Sequence, residues 1–142
     1  MLAAALVYLV GSLTAHAQPP GAIVAEVSGL RGSRGMVDCY LYSSANGFPS
    51  DPSRSLRTDV VVANDGMATC RFTGVAMGAY AIAVVHDANG NGKLDRNLLG
   101  MPIEGVGASN NPTSRFGPPP FAKASFVYLG AFTKLSIQVR YL

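Results

Sequence analysis

From residue 22 onward, apolar residues come in short runs of five to nine, each cut off by glycine, proline or an Asn/Asp turn. Runs of that length suit strands better than helices, and the 16 Gly and 9 Pro of the 142 residues explain the spacing between them. The strands read as 22–27, 36–42, 59–63, 67–72, 78–86, 124–129 and 135–142, with a long loop over 46–59. Asn64-Asp65-Gly66 is a hairpin turn between two of them. In the run from Gly78 to His86, alternation places Tyr80, Ile82, Val84 and His86 on one face and Ala81, Ala83 and Val85 on the other. In the last run Leu135, Ile137, Val139 and Tyr141 share a face. About seven short strands predict an all-β fold, a single antiparallel β-sandwich of the prealbumin or immunoglobulin kind. A long irregular loop closes one end. A small outer-membrane β-barrel is the alternative, but the stretch from Asp87 to Pro120 leaves too little strand-forming sequence for at least ~8 membrane-length strands.

Residues 1–17 read as a signal peptide, and 18–142 as one sandwich domain. Leu2–Leu13 is almost wholly apolar, and Ala15-His16-Ala17 offers small residues for cleavage before Gln18. The apolar stretch is short of the ~20 residues a transmembrane helix needs, so no transmembrane segment is expected after cleavage. No Lys or Arg follows Met1, so the usual positive start is missing; the competing reading is a buried N-terminal helix. Export to the periplasm or medium would expose Cys39 and Cys70 to an oxidising compartment, where a pair usually closes as a disulfide. Two buried free thiols are the other reading.

The formal net charge is +3, from 11 basic and 8 acidic residues, but the basic ones are scattered. Nucleic-acid binding wants a clustered basic face, so nucleic acid is not expected as a partner. The expected partner is an unidentified protein or envelope component.

The chemistry concentrates in Asp87-Ala88-Asn89-Gly90-Asn91-Gly92-Lys93-Leu94-Asp95. Asp87, Asn89, Asn91, Gly92 and Asp95 match the spacing of a helix-loop-helix calcium loop, in which alternate residues aim oxygen atoms at one centre. Lys93 would add its backbone carbonyl, and Leu94 would anchor the loop on the core. The closing bidentate Glu is replaced by Leu98, and a strand enters where a helix should. Glu104 is the residue that a fold-back of the following segment would bring to the site. Calcium is therefore the candidate cofactor. The competing reading is a turn that satisfies itself, with Asn and Gly supplying the unusual backbone angles.

No catalytic residue is assigned. His86 is the single histidine beyond residue 17, too few for a multi-histidine zinc site. Adjacent strand residues point to opposite faces, which argues against a triad of His86 with Asp87 and Ser109 or Ser114. Its expected role is to hydrogen-bond the loop and fix it. The segment 100–121 is polar and punctuated, with Phe116 and Phe121 bracketing Gly117-Pro118-Pro119-Pro120 as a stiff pin for the loop. Packed beside 87–97, it predicts a binding surface of His86, Asn97, Glu104, Ser109, Asn110 and Asn111. A structural lid is the competing reading.

Gly78–Asp87, Asn89–Asn97, Gly100–Gly105, Ser109-Asn110-Asn111 and Gly117-Pro118-Pro119 together resemble a set of exported bacterial proteins, domain of unknown function 2141. The likeness spans nearly all of 18–142. Val106 and Ala108 depart from it, since aromatics are common there. The resemblance implies export and a sandwich like the transthyretin and carboxypeptidase-regulatory domains, and it implies no activity. The function expected is a non-catalytic exported module whose loop, with or without calcium, orders a binding surface. The alternatives are a structural envelope component and a small hydrolase.

Overall fold

The structure is a computed structural model that describes residues 11–12, 21–114 and 116–142. The signal-peptide reading, His16 included, falls outside the described residues except at Gly11 and Ser12. Among the described residues no helix is long and apolar enough to cross a membrane.

Among the described residues eight strands form two packed sheets: β1 Ala22–Ser28, β2 Met36–Tyr42, β3 Arg57–Val62, β4 Ala68–Thr73, β5 Gly78–Asp87, β6 Gly105–Ala108, β7 Phe126–Tyr128 and β8 Thr133–Gln138. One sheet has the order β4-β1-β8; the other runs β3-β2-β5-β6, with β7 also on β5. The expected all-β sandwich is what forms, and the sheets do not close into a barrel.

The structure differs from the sequence reading at five points. β6 lies in the segment expected to be irregular: its Gly-Val-Gly-Ala sequence is a poor strand former, and it takes strand form because β5 has an edge to satisfy. Ala124 ends a four-residue helix, α1 Phe121–Ala124, rather than opening a strand. The 46–59 loop stops at Arg57, where β3 begins to pair with Leu41. β8 ends at Gln138, although Val139 keeps the alternation and packs in the core. The sandwich is also not purely antiparallel, because β1 pairs β8 in parallel, from Ile23 opposite Thr133 to Ser28 opposite Gln138.

The core lies between the sheets. Ile23, Ala25 and Val27 of β1, Val37, Cys39 and Leu41 of β2, Tyr80, Ile82 and Val84 of β5, and Ile137 of β8 are buried together. β5 is buried on its second face as well, where Ala81 packs with Ala108, Ala124, Phe48 and Phe121. Gly35 lets the β1–β2 connection approach the end of β5: its φ is +73°, and a Cβ there would sit 2.1 Å from the Asp87 carbonyl oxygen.

Cys39 and Cys70 form a disulfide with Cα atoms 6.4 Å apart. It joins β2 of one sheet to β4 of the other through the core. Closing a loop of 31 residues restricts the unfolded chain by about 3–4 kcal/mol in the chain-entropy treatment. Replacing both cysteines by alanine should lower unfolding free energy by about that amount. Denaturant melts of the double variant check this, and an unchanged midpoint would deny the bridge a role in stability.

Candidate functional site

β5 delivers the acidic loop. Asp87 is its last residue, buried at 2% exposure, and lies on the outer face of the five-stranded sheet together with Asp38 of β2. Its carboxylate oxygens accept N–H bonds from Asn91 at 3.1 Å and Gly92 at 2.6 Å, which winds the chain into a tight loop. Gly90 and Gly92 have φ of +68° and +71°, the left-handed geometry that glycine takes without strain. Asn91 Oδ1 accepts from Lys93 N–H, and the Asn89 and Asn91 side-chain amides both donate to the Asp95 carboxylate at 2.7–3.0 Å. These bonds hold the Asp95 carboxyl below the usual carboxylate range, the Asn91 bond most. Leu94 is half-buried and borders an outer groove instead of reaching the core.

The chain then forms a narrow turn over 95–103, with Ile103 N–H on the Asp95 carbonyl and Asn97 N–H on the Met101 carbonyl. Asn97 Oδ1 accepts from Leu99 and Met101 N–H, so this exposed side chain is spent on the turn itself. The turn brings Glu104 back beside Asp95. Glu104 is 7% exposed, and its Oε2 is buried without a hydrogen-bond partner. Burial, the adjacent Asp95 carboxyl, and the negative charges of Asp95 and Asp87 push the Glu104 carboxyl up to about 7. Burial likewise raises the Asp38 carboxyl, Asp87 adding to the rise and the Tyr40 hydroxyl bond opposing it. Four carboxyl groups thus gather at one end of the sheet. Asp38 was not singled out from sequence; a lone acid inside the apolar run Met36–Tyr42 was the available signal.

His86 points the other way. It is 1% exposed and faces the core side of the sheet. A carbonyl only accepts, so Nε2 donates to the Arg34 carbonyl at 2.7 Å, and Nδ1 accepts from the Tyr141 hydroxyl at 2.6 Å. That hydroxyl also accepts from Arg31 N–H, and the Arg31 guanidinium lies 4.2 Å from the Tyr141 ring centre. His86 therefore ties the 29–35 connection to the segment that follows β8 and does not reach a binding surface.

Ser109 is also not at the surface. β6 and β7 line the same edge of β5, and the chain leaves that edge between them for residues 109–125. The gap falls at Ile82. Ser109 fills it by donating its N–H to the Ile82 carbonyl and accepting Ile82 N–H on its hydroxyl, both at 2.9 Å. The hydroxyl proton goes to the Ala124 carbonyl, where the chain returns. Asn110 donates to the Ser125 and Lys123 carbonyls. Asn111 pairs with β8 through the Ser136 carbonyl and Gln138 N–H. Both asparagines have positive φ. The expected binding surface is corrected accordingly: His86, Glu104 and Ser109 are buried, and Ser109-Asn110-Asn111 form a clasp around the 109–125 excursion. Phe116 is exposed and pins nothing, whereas Phe121 stacks edge-on against Phe48 at 5.8 Å.

Among the described residues no group of three or more His, Cys, Asp and Glu side chains stands as a ready-made metal set. The arrangement offers instead clustered carboxyl groups, with Lys93 offsetting part of the charge at Asp95 and side-chain amides that turn their NH2 ends toward it.

Ser109→Ala should cost about 1–3 kcal/mol, because Ile82 N–H is left buried without an acceptor. Chemical denaturation reads this, and a loss below about 0.5 kcal/mol, the scale of an ordinary surface change, would mean the clasp is dispensable. The raised Glu104 carboxyl stabilises the fold while protonated. That contribution is complete below the ordinary value of 4.5 and is lost as pH rises through about 7. In EDTA the wild-type melting midpoint should therefore fall on going from about pH 5 to about pH 7.5, and Glu104→Gln should flatten that fall. Equal slopes in the two proteins would remove Glu104 from the pH response.

No curated protein sequence and no solved structure gives a significant match to this chain. One family model does match, over residues 25–135, which takes in both sheets, the acidic loop and the Ser109 clasp. The chain belongs to the family described as uncharacterized protein conserved in bacteria, DUF2141.

Proposed function

We propose that this protein is an exported, non-catalytic binding module in which calcium at the acidic loop fixes one wall of a ligand-facing surface. The observation that carries the reading is the Glu104 carboxyl, buried with a partnerless Oε2 against Asp95 and within the field of Asp87. Buried acids are normally paired; Lys93 offsets part of the charge at Asp95, and a hard cation would complete the pairing of Glu104 and Asp87. Asp87, Asp95 and Glu104 would supply charge. Asn89 and Asn91, with their amides turned over, and the Lys93 carbonyl would supply neutral oxygens. That donor set is all oxygen, which suits calcium over zinc or copper. Glu104 would do what the terminal Glu does in a continuous loop, arriving through the 95–103 turn.

The disulfide supports export, since such bonds persist in oxidising compartments. The loop's position supports a role in ordering a surface: Leu94 and Arg96 leave the acidic cluster and border the groove on the outer sheet face.

Thermal unfolding in EDTA and in ~1–10 mM calcium, the range of extracellular sites, tests the reading. Binding to the native state raises the midpoint by mass action. The wild type should gain stability with calcium at neutral pH. Glu104→Gln should fold, be at least as stable as wild type in EDTA, and lose the calcium gain. A wild-type midpoint indifferent to calcium, or a Gln variant that responds as wild type does, would leave the loop as a turn that satisfies itself.

A further inference from the structure

The outer face of the five-stranded sheet carries a groove of about 370 Å³. Its floor is Ala83 and Val85 of β5 beside Val106 and Ala108 of β6. The small side chains at Ala83 and Ala108 leave the depth. One wall is the end of the acidic loop and the turn after it, with Leu94 and Met101; the other is formed by Pro112, Pro118 and Pro119. A volume in this range matches sites for small molecules, which are mostly apolar with a few placed polar groups.

Among the described residues the charged groups that line the groove are Arg96 and Arg140, with no Asp or Glu beside them. The ion pairs found among the described residues, Arg54–Asp51 and Lys134–Glu26, involve neither arginine. Arg96 donates to the Gly100 carbonyl at 2.9 Å and is thereby held at the rim. Arg140 is anchored through its backbone, which pairs both ways with Val106, so its side chain is placed by the sheet and not by a partner acid. Guanidinium groups bind carboxylate and phosphate oxygens in a forked geometry that neutral or cationic ligands cannot use.

We infer that this groove binds an amphipathic anion, a molecule with an unbranched or flat apolar body and a carboxylate head, the body on Ala83, Val85, Val106 and Ala108 and the head at Arg140 and Arg96. The inference stands on the groove and not on the calcium reading, and measurement in both EDTA and calcium keeps the two apart. A flat nucleobase is a poor fit, because among the described residues no aromatic side chain lines the groove for it to stack on.

Isothermal titration with decanoate, below its micelle concentration, tests the inference against decyltrimethylammonium and butyrate. These two keep the body with the wrong charge, and the head without the body. Wild type should bind decanoate saturably at one site, and both controls about tenfold more weakly or worse. Arg140→Gln should weaken decanoate about tenfold while leaving decyltrimethylammonium unchanged. Val106→Phe, which fills the floor, should abolish the saturable phase. Decanoate binding no tighter than decyltrimethylammonium, an Arg140→Gln protein that binds as wild type does, or no saturable binding by the wild type would each overturn the inference. The head and body comparison uses the wild type alone, so a variant that fails to fold does not blunt the test.

Discussion

The obligations of β5 organise this molecule. From Tyr80 to Asp87 every residue is buried, so its backbone N–H and C=O groups must find partners within the protein. β2 satisfies one edge along seven residue pairs. The other edge is served in pieces: β6 covers 83–86, β7 covers 78–80, and Ser109 supplies the bond at Ile82 that neither strand provides. The excursion over 109–125 is tolerated because that one hydroxyl keeps the ladder intact while the chain is away. The short α1 helix and the aromatic contacts of Phe48 and Phe121 then cover the second face of β5 near Ala81.

The same strand separates two chemistries by its pleat. His86 lies on the core side and Asp87 on the outer side, though they are neighbours. Inside, the imidazole joins a chain of hydrogen bonds through Tyr141 to Arg31. Outside, Asp87 begins an acidic region with Asp38, Asp95 and Glu104. Farther along that outer face the sign reverses, and Arg96 and Arg140 border an apolar groove. One sheet face therefore carries a negative end and a positive groove, joined by the backbone of residues 94–96.

Much of this was legible from residue patterns. Alternation in Gly78–His86 and Leu135–Tyr141 grouped the residues by face as the sheets do, because the side-chain period of a strand is two. Asn64-Asp65-Gly66 marked a tight turn, closed by the Asn64–Met67 bridge with Asp65 and Gly66 at positive φ, but the strands it joins are not the expected hairpin: β3 pairs β2 and β4 pairs β1, so the turn carries the chain from one sheet to the other. Asp87, Asn89, Asn91 and Asp95 do converge in one loop. What patterns did not reveal depends on pairing across distance. β6 has weak intrinsic preference for a strand and exists because β5 offers an edge. Ser109, Asn110 and Asn111 look like exposed turn residues, yet their partners lie on β5, β8 and the 123–125 return, which no local window contains. Glu104 was readable as a fold-back residue, but its burial depends on the register of β6 against β5.

The parallel pairing of β1 with β8 has a consequence in time. β1 is made early, and the strand that completes its sheet, Thr133–Gln138, is made more than a hundred residues later. Until then β1 has β4 on one side and an open ladder on the other, a template for joining strands of other chains. Closing contacts so distant in sequence is slow. Until β8 has been made, the nascent protein thus carries an apolar edge open to pairing with strands of its own copies.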